Sequence, residues 1–262
     1  MSGELVIIKG AGDLATGVAH RLARSRYGVL MLEIPEPTVI RRTVSYAEAV
    51  YQGECMVEGI TAQLAESAQA AAAIIGAGKI AVLVDPAWES LKTLKPKALV
   101  DAIIAKRNLG TKISDAPVVI GLGPGFVAGK DVHAVVETER GHDLGRVILS
   151  GAAHPDTGIP GEVGGYGVER LLRSPASGTF QGIGQIGDVV KAGETVAMVD
   201  GTPVTTVIGG VLRGLLCSGL RVNPGFKVGD VDPRCTRDNC FTISDKARSV
   251  AGGVLEALLH LQ

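Results

Sequence analysis

The sequence predicts an α/β chain: a mostly parallel sheet domain, then a small all-β domain, then a closing helix. Three observations carry this. From residue 4 to about 150, short Val/Ile/Leu-rich runs alternate with segments of helical period, which is how a parallel α/β sheet reads. After Ser174 the helical segments stop and short strands separated by glycine turns take over. From Ser244 a helical period returns. The expected boundaries are 1–170, 171–235 and 236–262.

In the first part, Leu5–Ile8, Gly28–Leu32, Ile80–Val84, Pro117–Ile120, Val132–Val136 and Arg146–Leu149 read as strands, each apolar and bounded by Gly, Pro or Asp. Helices are expected over Asp13–Ser25, Tyr46–Tyr51 and Lys97–Lys106; in the last, Leu99, Ala102 and Ile103 share a face. The Ala-rich stretch 60–78 predicts a further helix. Between Gly151 and Arg173 the apolar runs stop and Gly, Pro, His and Asp dominate, as in a linker or functional loop.

The second part carries a weak internal repeat. A V-x-x-G turn occurs at Val190–Gly193 and again at Val222–Gly225, 32 residues on. Paired turns of this kind assemble a small barrel-sandwich of the biotinyl/lipoyl-like hammerhead type. The hairpin between them, Val199-Asp-Gly-Thr-Pro-Val204, has no lysine to accept a prosthetic group, which favours a structural or ligand-gripping barrel over a swinging-arm carrier. Ser244 is the expected N-cap of the final helix, which would pack back on the first domain.

Composition narrows the function classes. The 262 residues carry 26 Lys and Arg against 27 Asp and Glu, without basic runs, so there is no electrostatic reason to hold a nucleic-acid backbone. The apolar run near the start, Leu5–Ile8, is far shorter than the ~20 residues of a membrane span. No membrane association and a cytoplasmic location are expected. Four cysteines, Cys55, Cys217, Cys235 and Cys240, give no disulfide framework in a chain of this size. The 36 glycines, about twice the usual ~7%, and nine aromatic residues describe an aliphatic core with many turns. That composition leaves room for a homo-oligomer.

The strongest local signal is Leu5-Val-Ile-Ile-Lys-Gly-Ala-Gly-Asp-Leu-Ala-Thr-Gly17, a strand followed by G-x-G-x-x-A and a helix. In a Rossmann-like domain Gly10 permits the tight turn, Gly12 admits a pyrophosphate and Ala15 lets helix and strand pack closely. Glu33, 21 residues past Gly12, stands where a carboxylate meets a ribose hydroxyl. Asp13 is the mismatch, since its charge opposes a pyrophosphate unless it caps the helix or binds a cation. Arg41 and Arg42 either fork a phosphate or form a solvated face. A second loop, Ile120-Gly-Leu-Gly-Pro-Gly-Phe126, follows a strand, but Pro124 removes one amide donor. Polar density at Glu137–His142 and His154–Gly161 reads as a site rim, yet His133, His142, His154, Asp156 and Glu162 lack zinc-ligand spacing, so no metal site is expected. Cys235 and Cys240, with four residues between them, are weak candidates for either metal or redox chemistry.

Several strings, in order, resemble one family: the YqeB-type proteins of selenium-dependent molybdenum hydroxylase systems, related through their first domain to XdhC-type maturation factors. They are GAGDLATGVAHRL (10–22), PTVIRRTVSYAEAVYQG (37–53), VDAIIAKRN (100–108), GLGPGFVAGKDVHAVVETERGHDLGR (121–146), VLRGLL (211–216), KVGDVDPR (227–234) and ISDKA (243–247). The resemblance implies an accessory protein in hydroxylase maturation. It would bind or modify the molybdenum cofactor for selenium insertion or delivery, with the hydroxylase apoprotein and other maturation factors as partners. It further implies a molybdopterin-type dinucleotide or NAD(P) as the nucleotide ligand. Gly10, Gly12, Asp13 and Glu33 would hold the nucleotide end, and Arg41, Arg42, Gly123, Gly125 and His142 would face cofactor or substrate. Two other readings stay open: an NAD(P)-dependent oxidoreductase of a small molecule, and a noncatalytic scaffold for hydroxylase assembly. Neither a catalytic residue nor a selenium-handling role for Cys55, Cys235 or Cys240 is defined by the sequence.

Overall fold

In the computed structural model, which describes residues 4–262, the first elements are β1 (Leu5–Lys9), α1 (Asp13–Arg24), β2 (Gly28–Glu33), α2 (Ala49–Gln52), β3 (Glu54–Val57), β4 (Ile60–Ala65), α3 (Ala68–Gly76), β5 (Ile80–Val84), α4 (Leu91–Leu94) and β6 (Ala98–Asp101). They are followed by β7 (Val118–Leu122), β8 (Val127–Ala128), β9 (Ala134–Val136), β10 (Val147–Ile148) and β11 (Gly151–Ala152). Nine of these strands form one sheet in the order β10-β9-β7-β6-β1-β2-β5-β4-β3. Its inner strands are parallel, and the two edge strands, β3 and β10, are antiparallel to their neighbours. Parallel strands covered on both faces read as unbroken apolar runs, and β1, β2 and β7 have that form. β8 and β11 pair separately.

The remaining elements are β12 (Leu171–Arg173), β13 (Gly178–Gly182), β14 (Val189–Val190), β15 (Thr195–Val199), β16 (Thr202–Thr205), β17 (Gly210–Leu215), β18 (Arg221–Val222), β19 (Lys227–Asp232) and α5 (Asp245–Leu261). The chain divides into two compact units. One comprises residues up to Pro37, Ser45–Thr157 and Ile243–Gln262; the other comprises Thr38–Val44 and Gly158–Thr242. The first unit is therefore discontinuous in sequence, and α5 belongs to it.

The expected fold class is corrected on two counts. The large sheet is mixed, because antiparallel strands close both of its edges. The second unit is not a hammerhead barrel-sandwich: its strands fall into two four-stranded antiparallel sheets, β12-β19-β17-β14 and β16-β15-β13-β18. The V-x-x-G strings do mark equivalent turns, with Gly193 and Gly225 both at φ +80°. A turn sets only how the chain reverses. The pairing is set by the apolar faces that meet in the core of this unit, around Phe180, Leu212 and Val228.

Two helix assignments also change. Lys97–Lys106 forms no helix; Ala98–Asp101 is strand β6, buried throughout between β1 and β7. A short apolar run carries no periodicity that separates a buried strand from a buried helix. The stretch 60–78 splits into β4 and α3, where the Ser67 hydroxyl caps the Ala70 N–H at 3.1 Å.

In the first unit, α5 starts at the Ser244 cap, whose hydroxyl accepts from the Ala247 N–H, and lies against α1. Their approach is close because Gly17 has no side chain: a Cβ there would stand 2.9 Å from both the Cβ and the carbonyl oxygen of Ala247. Among the described residues, no helix is long and apolar enough to cross a membrane.

Replacing Gly17 with Val should therefore force α1 and α5 apart and lower stability by about 1–3 kcal/mol in urea denaturation. Gly76→Ala, at a helix position with open space around it, should be neutral or stabilising by up to ~1 kcal/mol. Equal effects from the two substitutions would contradict the packing assigned to Gly17.

Candidate functional site at the carboxyl edge of the large sheet

From β1 the chain builds outward through β2 to β5 on one side, then returns to build β6, β7 and β9 on the other. Such a reversal opens a crevice beyond the carboxyl ends of the strands, where ligands bind in sheets of this kind. The segments arriving there are Gly10–Asp13 after β1, Ala102–Arg107 after β6, Gly123–Gly125 after β7 and Glu137–His142 after β9.

The floor of this edge is a buried ionic network. Lys9, the last residue of β1, is fully buried, and its Nζ donates to Thr111 Oγ1 at 2.7 Å. Thr111 Oγ1 in turn donates to Asp101 Oδ2 at 2.6 Å. Asp115 lies 3.9 Å from the amine, and the Trp88 ring centroid lies 3.7 Å from it. Burial pushes the Lys9 amine below its usual value, while Asp101 and Asp115 pull it back up.

At the first glycine turn, Gly10 takes φ +88° and donates its N–H to the Leu32 carbonyl at 2.7 Å. A Cβ at Gly10 would stand 3.2 Å from the Ala102 carbonyl oxygen, so both conformation and space call for glycine. Gly12 is the N-cap of α1. Two amides at the turn are engaged by the protein's own carboxylates. Glu33 Oε2 accepts from the Ala11 N–H at 2.7 Å, and Asp13 Oδ1 accepts from the Leu14 N–H at 2.9 Å. Burial raises the Glu33 carboxyl above its usual range, opposed by the N–H groups of Ile34 and Ala11. This turn does not fit the pyrophosphate of NAD(P) or of a molybdopterin dinucleotide. The anion would have to displace Glu33 and face Asp13, and like charges ~4 Å apart near a protein surface repel by about 4 kcal/mol.

The second glycine loop serves packing. Gly123 (φ +72°) sits where a Cβ would collide with Thr138 Oγ1, and a Cβ at Gly125 (φ +110°) would stand 2.6 Å from the Arg107 Cα. The Gly123 N–H is spent on the Val136 carbonyl. Glu137, 1% exposed, shapes the next loop by accepting from the N–H groups of Thr138 (2.6 Å), Glu139 (2.7 Å) and His154 (2.8 Å). His154 Nδ1 lies 2.8 Å from Glu139 Oε2.

Cations gather above this floor. Lys106 pairs with Asp156 at 2.5 Å, and Arg140 forks Asp245 at 2.8 and 2.9 Å. Lys246, half-buried in the first turn of α5, forms no hydrogen bond or ion pair among the described residues. Burial depresses its amine most. Arg140 and Lys106 depress it further, while Asp13 and Glu137 oppose them. The amide dipoles at a helix N-terminus also disfavour a cation there.

Of the residues proposed from sequence, Gly10, Gly12, Asp13, Glu33, Gly123 and Gly125 come to this edge, and His142 is exposed in the turn after β9. Arg41 and Arg42 belong to the other unit. Sequence reasoning passed over Lys9, Lys106, Arg140 and Lys246 as site groups; the available signal was a lysine in the first turn after a Ser cap. Among the thiols, Cys55 is a weak nucleophile. Burial pushes Cys55 up to about 11, and its Sγ contacts the Ser45 and Tyr46 carbonyls.

The geometry thus gathers Lys106, Arg140 and Lys246 near the carboxyl edge of the large sheet. No protein-family model matches the chain. The chain is similar to the uncharacterized protein YqeB of Escherichia coli (strain K12), 51% identical over 258 residues, a match covering 98% of this chain and 48% of that protein. It spans about half the length of that curated relative. Among solved structures it aligns with an aspartoacylase family protein of Mesorhizobium loti at 12% identity and TM-score 0.27, over 88% of this chain and 85% of that one. It also aligns with a succinylglutamate desuccinylase of Silicibacter, again at 12% identity over 88% and 85% of the two chains, with TM-score 0.26. Likenesses at this score lend the chain neither a topology nor an activity.

The expectation drawn from the family resemblance is corrected accordingly. No family model matches the chain and the similar relative is described as uncharacterized, so neither ties the chain to XdhC-type maturation factors. A role in molybdenum hydroxylase maturation or selenium delivery is not carried further. The oxidoreductase and scaffold readings attached to it are dropped as well.

Replacing Lys9 with Met should cost about 3–5 kcal/mol in chemical denaturation, because Asp101 is left as a buried, unpaired charge. Adding Asp101→Asn should recover part of that loss. For Lys246, a depressed amine is neutral at a lower pH than an ordinary lysine. Acetic anhydride labelling followed by peptide mass spectrometry should show Lys246 reacting with a midpoint below the ordinary 10.5.

Proposed function

We propose that the first unit binds a small phosphate ester of the sugar-phosphate or mononucleotide kind at the carboxyl edge of the large sheet. The phosphate would lie on the cationic rim of Lys246, Arg140 and Lys106, and a hydroxyl-bearing end would extend toward Glu33. The single observation that carries the reading is Lys246, a half-buried cation at the switch point with no ion pair or hydrogen bond among the described residues. A dianion there relieves the repulsion among the three cations and favours the protonated Lys246 amine. The network under Lys9 holds the loop after β6 in place, so the rim is preorganised rather than assembled on binding. Under this reading the protein works in the cytoplasm, which suits cysteines that form no disulfide among the described residues.

Titration of the full chain with AMP, ADP, ribose 5-phosphate and NAD, followed by thermal denaturation at matched ionic strength, tests this. One or more phosphate monoesters should stabilise the protein, by about 2.7 kcal/mol at a hundredfold excess over Kd. Lys246→Met should weaken that binding at least tenfold. Stabilisation no greater than that by chloride, or an unaltered Lys246→Met protein, would overturn the proposal.

A further inference from the structure

A second cationic centre lies in the other unit, built on different residues. In β17 the register against β19 slips between Leu212, which faces Val231, and Gly214, which faces Asp230. Arg213 is the extra residue of this bulge, and bulges re-aim the side chains they carry. All of β17 is buried, and Arg213 is only 7% exposed.

The carboxylates around Arg213 are committed elsewhere. Asp230 receives Arg170 Nη1 at 2.7 Å. Asp232 receives Arg234 through the backbone N–H, through Nε at 2.9 Å and through Nη2 at 2.6 Å. Arg213 Nε comes no nearer than 3.8 Å to Asp232 Oδ2; it is sealed from solvent and has no hydrogen-bond acceptor. No nitrogen of Arg213 donates a hydrogen bond to any described residue. Arg41, also 7% exposed, stands near enough to oppose its charge and is anchored by the carbonyls of Asn239 (3.1 Å) and Thr242 (3.3 Å).

A guanidinium has five donors, and holding the Nε donor of Arg213 out of water without an acceptor is costly. Neighbouring cations add to that cost. The missing component is an anion whose oxygens match the planar fork. We propose that Arg213 anchors an oxoanion site in the second unit, which takes a tetrahedral phosphate-type group, free or at the end of a larger ligand, with the Arg41 charge behind it. At the bulge Arg213 has no register partner on β19, within an otherwise apolar strand. The site is independent of the sheet edge in the first unit.

Calorimetric titration with inorganic phosphate at constant ionic strength tests this in the full-length Lys246→Met protein, so that loss of the first site does not confuse the result. Phosphate should bind, sulfate should compete, and acetate should not. Arg213→Met should weaken phosphate at least tenfold. Arg213→Lys, which keeps the charge without the fork, should weaken it at least threefold and carries the test if the methionine protein does not fold. AMP competing with phosphate assigns the group to a phosphate ester, and AMP silence assigns a free oxoanion. Absence of phosphate binding, binding that Arg213 substitutions leave unchanged, or a preference for acetate would overturn the proposal.

Discussion

The ammonium of Lys9 is the constraint on which the first unit depends. A lysine at the end of a strand covered on both faces cannot reach water, so the chain supplies its solvation: a hydroxyl from Thr111, the carboxylates of Asp101 and Asp115, and the face of Trp88. Thr111 and Asp115 come from the connection between β6 and β7, Asp101 from the end of β6, and Trp88 from the connection between β5 and β6. Satisfying one charge therefore fixes the loop after β6, and that loop approaches the first glycine turn at the Gly10–Ala102 contact.

The two glycine loops and the cationic rim show how charge, rather than backbone shape, decides what such an edge holds. A tight turn between strand and helix has the form of an anion cradle, but Glu33 and Asp13 occupy its amides. The positive charge lies instead on side chains from the loops after β6 and β9 and from α5. The glycines that look most ligand-like, Gly123 and Gly125, are required by Thr138 and Arg107 pressing on the same loop.

Much of the local structure was legible in the sequence. The apolar runs Leu5–Ile8, Gly28–Leu32 and Ile80–Val84 fall in β1, β2 and β5, because a strand covered on both faces needs unbroken apolar residues. Ser244 announces its helix through its hydroxyl. β6 was not legible, since four buried residues have no period to read, and neither was the pairing of the second unit, where V-x-x-G describes turns but not partners. Of the candidate site, the glycine turn and Glu33 were visible because they are close in sequence. Lys246 and Asp13 influence one another across the whole length of the chain, and only topology brings them together.

The discontinuity of the first unit has a consequence for how the chain comes into being. During synthesis, every strand of the large sheet exists before α5 does, and Gly158–Thr242 of the second unit must be made in between. Until then the face of α1 at Gly17 lacks its cover and stays wet. The nascent sheet thus waits on its final segment to seal, while the inserted unit has its own apolar core and is free to close first.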